Sequence, residues 1–233
     1  MATQSSSRTP VWASTIGLKL VMALTGLAMV GFVVGHMAGH LQIFAGRDAY
    51  NAYAHFLQGL GGLLWVARLG LLAAIGAHVY AAITLNKRNS DARPQRYAVK
   101  TNNVTKSPAL SMIYSGYTIL AFVGYHIAHF TLNVLPTTKI EEYDSASGEA
   151  MRDVYGAYVA DFQNPLIFGL YAVAMVGIAL HLSHAVTSTF RTLGVMRGSY
   201  REPLSKVGPA VGYVSAIGFI IPPLACLFGL VTV

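Results

Sequence analysis

The sequence predicts an all-α integral membrane protein: one domain (1–233) built as a bundle of five transmembrane helices, N-terminus cytoplasmic and C-terminus outside. Three observations carry this. The 233 residues are 54% hydrophobic and 11% charged, less than half the charged share of an ordinary soluble chain. Five stretches stay apolar over the roughly 20 residues a helix needs to cross about 30 Å of hydrocarbon. The charges gather between those stretches, basic in the second and fourth connections and acidic in the third. Polar side chains this scarce do not cover a globule, so a water-soluble monomer is excluded and lipid is the expected solvent. The single cysteine, Cys226, lies in an apolar stretch, which removes disulfide frameworks, cysteine-held zinc and iron–sulfur clusters bound by this chain alone.

The spans run over about 16–44, 60–85, 110–135, 165–190 and 208–231. None contains Asp or Glu, and only Lys19 and Arg68 are charged within them, each near an end where a long side chain reaches the headgroups. The first span is too long for the apolar part of a cleaved signal peptide, and Lys19 interrupts it, so it is read as retained. Between the second and third spans lie Lys87, Arg88, Arg93, Arg96, Lys100 and Lys106 against Asp91; after the fourth lie Arg191, Arg197, Arg201 and Lys206 against Glu202. These basic connections belong in the cytoplasm, and the net charge of +7 reports orientation rather than nucleic acid. The connection after the third span, with Glu141, Glu142, Asp144, Glu149, Asp153 and Asp161 against Lys139 and Arg152, belongs outside. The N-terminus, with Arg8, is then inside.

Pro108 and Pro165 sit at span starts, where a missing N–H is harmless. Pro222 and Pro223, inside the fifth span, predict a kink or an early end. Residues 47–57, with Tyr50 and Tyr53, read equally well as a short interfacial helix or a loop. No internal repeat stands out.

Seven of eight histidines fall within the spans: His36, His40, His78, His126, His129, His181 and His184. Ionisable residues in a membrane interior are costly and functional by default. His36 and His126 lie 8 and 9 residues before the outer ends of spans one and three, about 12 to 14 Å below the outer surface. His78 and His181 lie 7 and 9 residues before the inner ends of spans two and four, about 10 to 14 Å from the inner surface. Each layer thus draws one imidazole from each of two alternate helices. Two neutral imidazoles from opposite sides are what a low-spin b-type haem requires, so two layers imply two haems. Spacing does not choose between His36 and His40, His126 and His129, or His181 and His184. Gly31, Gly35 and Gly39 recur every four residues, leaving either a groove for a flat macrocycle or a helix–helix contact. Arg68 and Arg191 stand at span ends suited to haem propionates, with headgroup contact the plainer role; His40, His129 and His184, three or four residues after a candidate ligand, suit propionates or a quinone pocket, and polar packing equally well. His55 lies outside the spans and receives no role. No dinucleotide fingerprint, P-loop, zinc-protease helix or nucleophile elbow is present, so hydride, phosphoryl and acyl chemistry are not expected of the chain itself.

The stretches GHMAGHLQIFAG (35–46), LLWVARLGLL (63–72), SGYTILAFVGYHIAHFT (115–131) and LHLSHAVTSTFRTLG (180–194) resemble the dihaem cytochrome b subunit of succinate:quinone oxidoreductases, the type with one five-helix anchor. The likeness covers nearly the whole chain. It implies axial ligation by His36 with His126 and by His78 with His181. It also implies a flavoprotein subunit carrying FAD and an iron–sulfur subunit docked on the cytoplasmic face of a bacterial or archaeal membrane. Electrons then pass through two b haems to a membrane quinone, often menaquinone. A glutamate that some fumarate reductases of this type carry two residues before the fourth-helix ligand is Ala179 here, so proton transfer by that route is not implied. By position, a quinone pocket near the outer layer would use His40 and Gln42, and one near the inner layer Trp12, Ser14 or Lys19. The competing readings are a dihaem cytochrome b of a hydrogenase or formate dehydrogenase, with ligands distributed differently among the helices, and a histidine-lined transporter without haem.

Overall fold

A computed structural model describes residues 10–92, 111–135 and 138–233. Arg8, the basic residues from Arg93 to Lys106, Pro108 and the first residue of the third expected span lie outside the described residues. Helix α1 (Thr15–His40) begins at Ser14, whose hydroxyl accepts from the Gly17 N–H at 3.0 Å and donates to the Val11 carbonyl at 2.6 Å, an N-cap that satisfies an otherwise orphaned donor. A 3₁₀ turn, Leu41–Ala45, leads to α2 (Arg47–Gly59), so the segment left open between helix and loop is a helix. Helix α3 (Gly62–Asp91) carries the expected second span and the first two basic residues beyond it.

Helix α4 (Met112–His126) continues as a π turn, Ile127–Thr131, within the third expected span. The acidic connection then forms an antiparallel pair, β1 (Glu142–Asp144) with β2 (Ala150–Arg152), and a short helix α5 (Val154–Phe162). This small sheet departs from the all-helical expectation. Glu141 and Glu142 and the turn at Gly148, which has φ +80°, lie where lipid-span reasoning reads no structure. Helices α6 (Pro165–Thr192) and α7 (Arg201–Leu227) complete the chain. Pro165 occupies the first turn of α6 behind the Asn164 cap.

The expectation of a kink or early end at Pro222 and Pro223 requires correction as to the end: α7 runs through both and through Pro209. Both rings are fully buried, and packing against neighbouring helices offsets the lost hydrogen bonds, as it does for prolines in other spanning helices. The helix starts at Arg201, before the expected 208, because a polar first turn with a Glu202–Lys206 pair at 2.8 Å precedes its apolar part.

Among the described residues, four helices are long and apolar enough to cross a membrane: Thr15–Ala45, Gly62–Asp91, Pro165–Thr192 and Gly198–Leu227. The chain is a multi-pass membrane bundle. Its packing is uneven. In the most apolar part of α6, 44% of residues are buried inside the protein, against 6% in α3. The tight contact is α6 on α7, where Gly208 and Gly212 approach Ser183, Thr187 and the Ala179 carbonyl so closely that a Cβ at either position meets backbone atoms; small residues four apart serve this purpose in lipid, where dispersion rather than water drives association.

One end of the bundle is covered. Helices α2 and α5 and the β-pair form a cap, and its core joins Ile43, Tyr50, Tyr158, Phe162 and Tyr171 to Cys226 near the end of α7. Asp153 fastens it. Its carboxylate accepts from Arg47 Nε and Nη2 at 3.1 and 2.7 Å and from Asn51 Nδ2 at 2.9 Å, and it caps α5 through the Gly156 N–H at 3.1 Å. Burial alone raises such a carboxyl, but these donors hold Asp153 below the usual carboxylate range. Asn51 in turn accepts from the Tyr155 N–H, and Tyr155 reaches the Thr232 carbonyl, at 2.9 and 3.0 Å. We call this the capped end and the other the basic end.

Candidate metal centres

The structure brings four histidines together as two cross-helix pairs, the ones that the likeness implies. His36 of α1 faces His126 of α4 near the capped end, with ring centroids 5.8 Å apart and planes at 76°. His78 of α3 faces His181 of α6 toward the basic end, at 6.4 Å and 61°. An imidazole centroid lies about 1.1 Å behind its nitrogen and metal–nitrogen bonds are about 2.0–2.1 Å, so rings on opposite sides of one metal have centroids about 6.3 Å apart. The two separations, 5.8 and 6.4 Å, lie within about 0.5 Å of that distance. Among the described residues no group of three or more His, Cys, Asp or Glu is placed to hold a metal ion by itself; each pair would offer two imidazole nitrogens. A porphyrin, which brings four nitrogens of its own, fits such a donor set.

The hydrogen-bond pattern identifies the donor atom. Asp161 of α5 accepts from His129 Nε2 at 3.2 Å and from the Thr138 N–H at 2.9 Å. Burial raises its carboxyl, but the bonds from His129 and Thr138 outweigh that and hold it below the ordinary range, so it is an acceptor. In a neutral His129 the proton is then on Nε2, and Nδ1 accepts from the Tyr171 hydroxyl at 2.9 Å. Tyr171, having donated there, accepts from His126 Nδ1 at 3.2 Å. His126 is left with its Nε2 lone pair for a metal. A ligating histidine held through its other nitrogen is the usual arrangement, since it fixes both tautomer and ring orientation.

His129 is fully buried with both nitrogens engaged, whereas the contact of His126 with Tyr171 is through Nδ1. His40 donates or accepts through Nδ1 to the Tyr50 hydroxyl at 2.8 Å and touches the His36 ring edge-on at 4.6 Å; it joins the capped layer to the cap. His36 itself stacks on Phe32, at 5.2 Å and 15°.

At the basic-end pair, His78 Nδ1 reaches the Met22 carbonyl at 3.1 Å and the Thr25 hydroxyl at 3.3 Å, and His181 Nδ1 the Ser115 hydroxyl at 3.3 Å. A carbonyl only accepts, so the His78 proton is on Nδ1 and Nε2 is again the free donor. His184 is half-buried.

Gly31 and Gly35 face open space, whereas Gly39 lies under the Tyr53 ring of α2. Gly31 and Gly35 are exposed and take no part in a helix–helix contact, and the packing reading applies to Gly39. Arg68 is exposed and lies over the Trp65 ring at 5.1 Å. Arg191 and Lys19 share a shallow recess at the basic end with Ile16 and Thr192. Of the quinone candidates, Trp12 is exposed in the turn before α1, Gln42 is half-buried in the turn after it, and the Ser14 hydroxyl is used by the helix cap.

Sequence reasoning missed Asp161, Tyr171, Thr25 and Ser115. Asp161 and Tyr171 act across 32 and 42 residues from His129, with no local pattern to mark them. No protein-family model matches the chain, and no curated protein or solved structure matches it either.

Proposed function

We propose that the chain is the membrane anchor and cytochrome b subunit of a succinate:quinone oxidoreductase, with five spans, the basic end in the cytoplasm and the capped end outside. The observation that carries this reading is the pair of cross-helix histidine couples, His36 with His126 and His78 with His181, each at the separation of two axial ligands. Bound b haem supplies reversible one-electron chemistry at iron between a low-potential donor and a quinone. The protein's part is to hold four Nε2 lone pairs in place, and the Asp161–His129–Tyr171 chain does so for His126. Open space beside Gly31 and Gly35 leaves room for a flat group against that face of α1. Exposed Arg68 and Arg191 and half-buried His184 are the candidates for its carboxylates.

The flavoprotein with FAD and the iron–sulfur subunit dock at the basic end, where Lys87, Arg88, Arg191, Arg197 and Arg201 gather. A bacterial or archaeal cytoplasmic membrane, multi-pass insertion and a menaquinone-type acceptor complete the proposal. Quinone pockets stand at His40 and Gln42 on the capped side and at Trp12, Ser14 and Lys19 on the other. Direction, succinate oxidation or fumarate reduction, follows from quinone potential.

The test is purification of the tagged chain from its native membrane. Co-purifying FAD, iron–sulfur clusters and succinate-dependent quinone reduction are expected, and a decrease in turnover for His40→Ala or Trp12→Ala locates the pocket. A complex that carries another dehydrogenase instead refutes the proposal.

A further inference from the structure

Thr25 and Ser115 stand in equivalent places on two helices, and the contacts reveal a repeat that the bare sequence hides. On α1, Thr25–Gly26 is followed by Phe32 and His36; on α4, Ser115–Gly116 is followed by Phe122 and His126, at identical intervals. Each phenylalanine lies against the histidine four residues on, at 5.2 and 5.7 Å between ring centroids. Each hydroxyl–glycine step meets the histidine of the next long helix of its own hairpin. Thr25 is 3.3 Å from His78 Nδ1, and a Cβ on Gly26 would lie 3.2 Å from His78 Cε1. Ser115 is 3.3 Å from His181 Nδ1, and a Cβ on Gly116 would lie 3.6 Å from His181 Cε1.

Both hydroxyls donate back to their own helix, Thr25 to the Val21 carbonyl at 2.6 Å and Ser115 to the Ser111 carbonyl at 2.9 Å. With its proton used there, each oxygen presents a lone pair to the imidazole N–H. The glycine beside it leaves the ring edge room to lie against the helix. Ten residues separate Gly26 from His36 and Gly116 from His126, which is about 15 Å of helix rise.

Resting on the reading of the four histidines as haem ligands, we propose that Thr25–Gly26 and Ser115–Gly116 form a duplicated clamp. It fixes the rotation and height of His78 and His181 and so sets the spacing between the two haem layers. Thr25 and Ser115 are positioning residues: they touch the ligands and not the iron. The chain is in this view two copies of one helical hairpin. In each copy the first long helix gives one ligand to the capped layer and grips the basic-end ligand of its partner helix.

The experiment uses the intact complex with Thr25→Val and Ser115→Ala, singly and together, read by haem content, low-spin ferric EPR and the rate of haem release. Wild type with fewer than two b haems overturns the ligand reading and the clamp together. With two haems present, the double variant is expected to shift the EPR signal of one haem only and to speed that haem's release about tenfold or more, the usual effect of losing a partner behind a ligand. Thr25→Ser and Ser115→Thr, which keep the hydroxyl, restore both readouts. Two unshifted signals and unchanged release in the double variant overturn the clamp while leaving the ligand reading intact. Should that variant not assemble, Gly26→Ala and Gly116→Ala decide. Gly26→Ala, whose methyl crowds His78, is expected to shift the signal, and Gly116→Ala, in ordinary contact, to shift it less. A wild-type signal in Gly26→Ala refutes the clamp.

Discussion

His126 and His78 are corresponding members of the two layers, yet what stands behind their Nδ1 atoms differs in kind. Behind His126 runs a chain of side chains, Tyr171, His129 and Asp161, that leaves the bundle and ends in the cap. Behind His78 is its neighbour helix alone, a carbonyl of Met22 and the hydroxyl of Thr25. A carboxylate three groups away makes His126 the richer donor, since charge-assisted hydrogen bonds are the strong ones and polarise along a chain. The capped layer is thus tuned by long-range tertiary structure, the basic-end layer by local helix geometry. Each is open to perturbation without the other.

The most severe way to separate them is to remove a ligand. His126→Ala is expected to lose the capped haem and His78→Ala the other, each lowering haem from about two per chain to about one, as measured by pyridine haemochrome. His129→Gln, in contrast, retains both haems; loss of one there transfers the ligand role from His126 to His129.

Asp161→Asn sharpens the contrast next. It replaces the charged acceptor of a buried histidine and is expected to destabilise the cap by about 1.5–3 kcal/mol. The potential of the capped haem falls out of register with wild type while the basic-end haem titrates as before. Equal shifts in both, by redox potentiometry, would erase the distinction.

Acid acts on the cap in the same direction. Asp153 and Asp161 both have lowered folded values, so each deprotonated carboxylate stabilises the fold fully above its unfolded value, about 3.9, and that contribution is lost as pH falls through the lower folded value. The melting-temperature difference between wild type and Asp153→Asn is accordingly expected to stay constant from about pH 7 to 5 and to shrink below about pH 4. A difference that changes between pH 7 and 5 assigns the effect to a histidine.

The smallest effect belongs to the far end of α1. Ser14→Ala removes the helix cap and is expected to cost about 1 kcal/mol, read as a modest drop in melting temperature with both haems kept. A large loss of quinone reduction with unchanged stability would give Ser14 a role in quinone binding that its use in capping does not suggest.

The spans and the four facing histidines were legible because membrane crossing and intramembrane histidines both leave local marks: apolar runs of helix length, and ionisable side chains where none is cheap. Depth arithmetic gave the two layers, and the resemblance, not the spacing, chose His36, His126 and His181 over their neighbouring histidines. What stayed hidden depended on distance in sequence. Asp153 meets Arg47 across 106 residues, and the acidic connection that reads as a topology marker proves to be a folded cap. The end expected at Pro222 fails because local propensity is overridden by burial. The hydroxyl–glycine repeat is visible in the letters once the contacts of Thr25 and Ser115 show where to align them; His40 and His129, at unequal spacing after their partners, obscure it.

The most direct test of the central claim is a reduced-minus-oxidised spectrum with haem quantitation on the purified complex, for wild type and for His36→Ala and His181→Ala. The account predicts about two b haems per chain in wild type and about one in each variant, with a different haem remaining in each. Fewer than two haems in wild type, or the same haem lost in both variants, contradicts it.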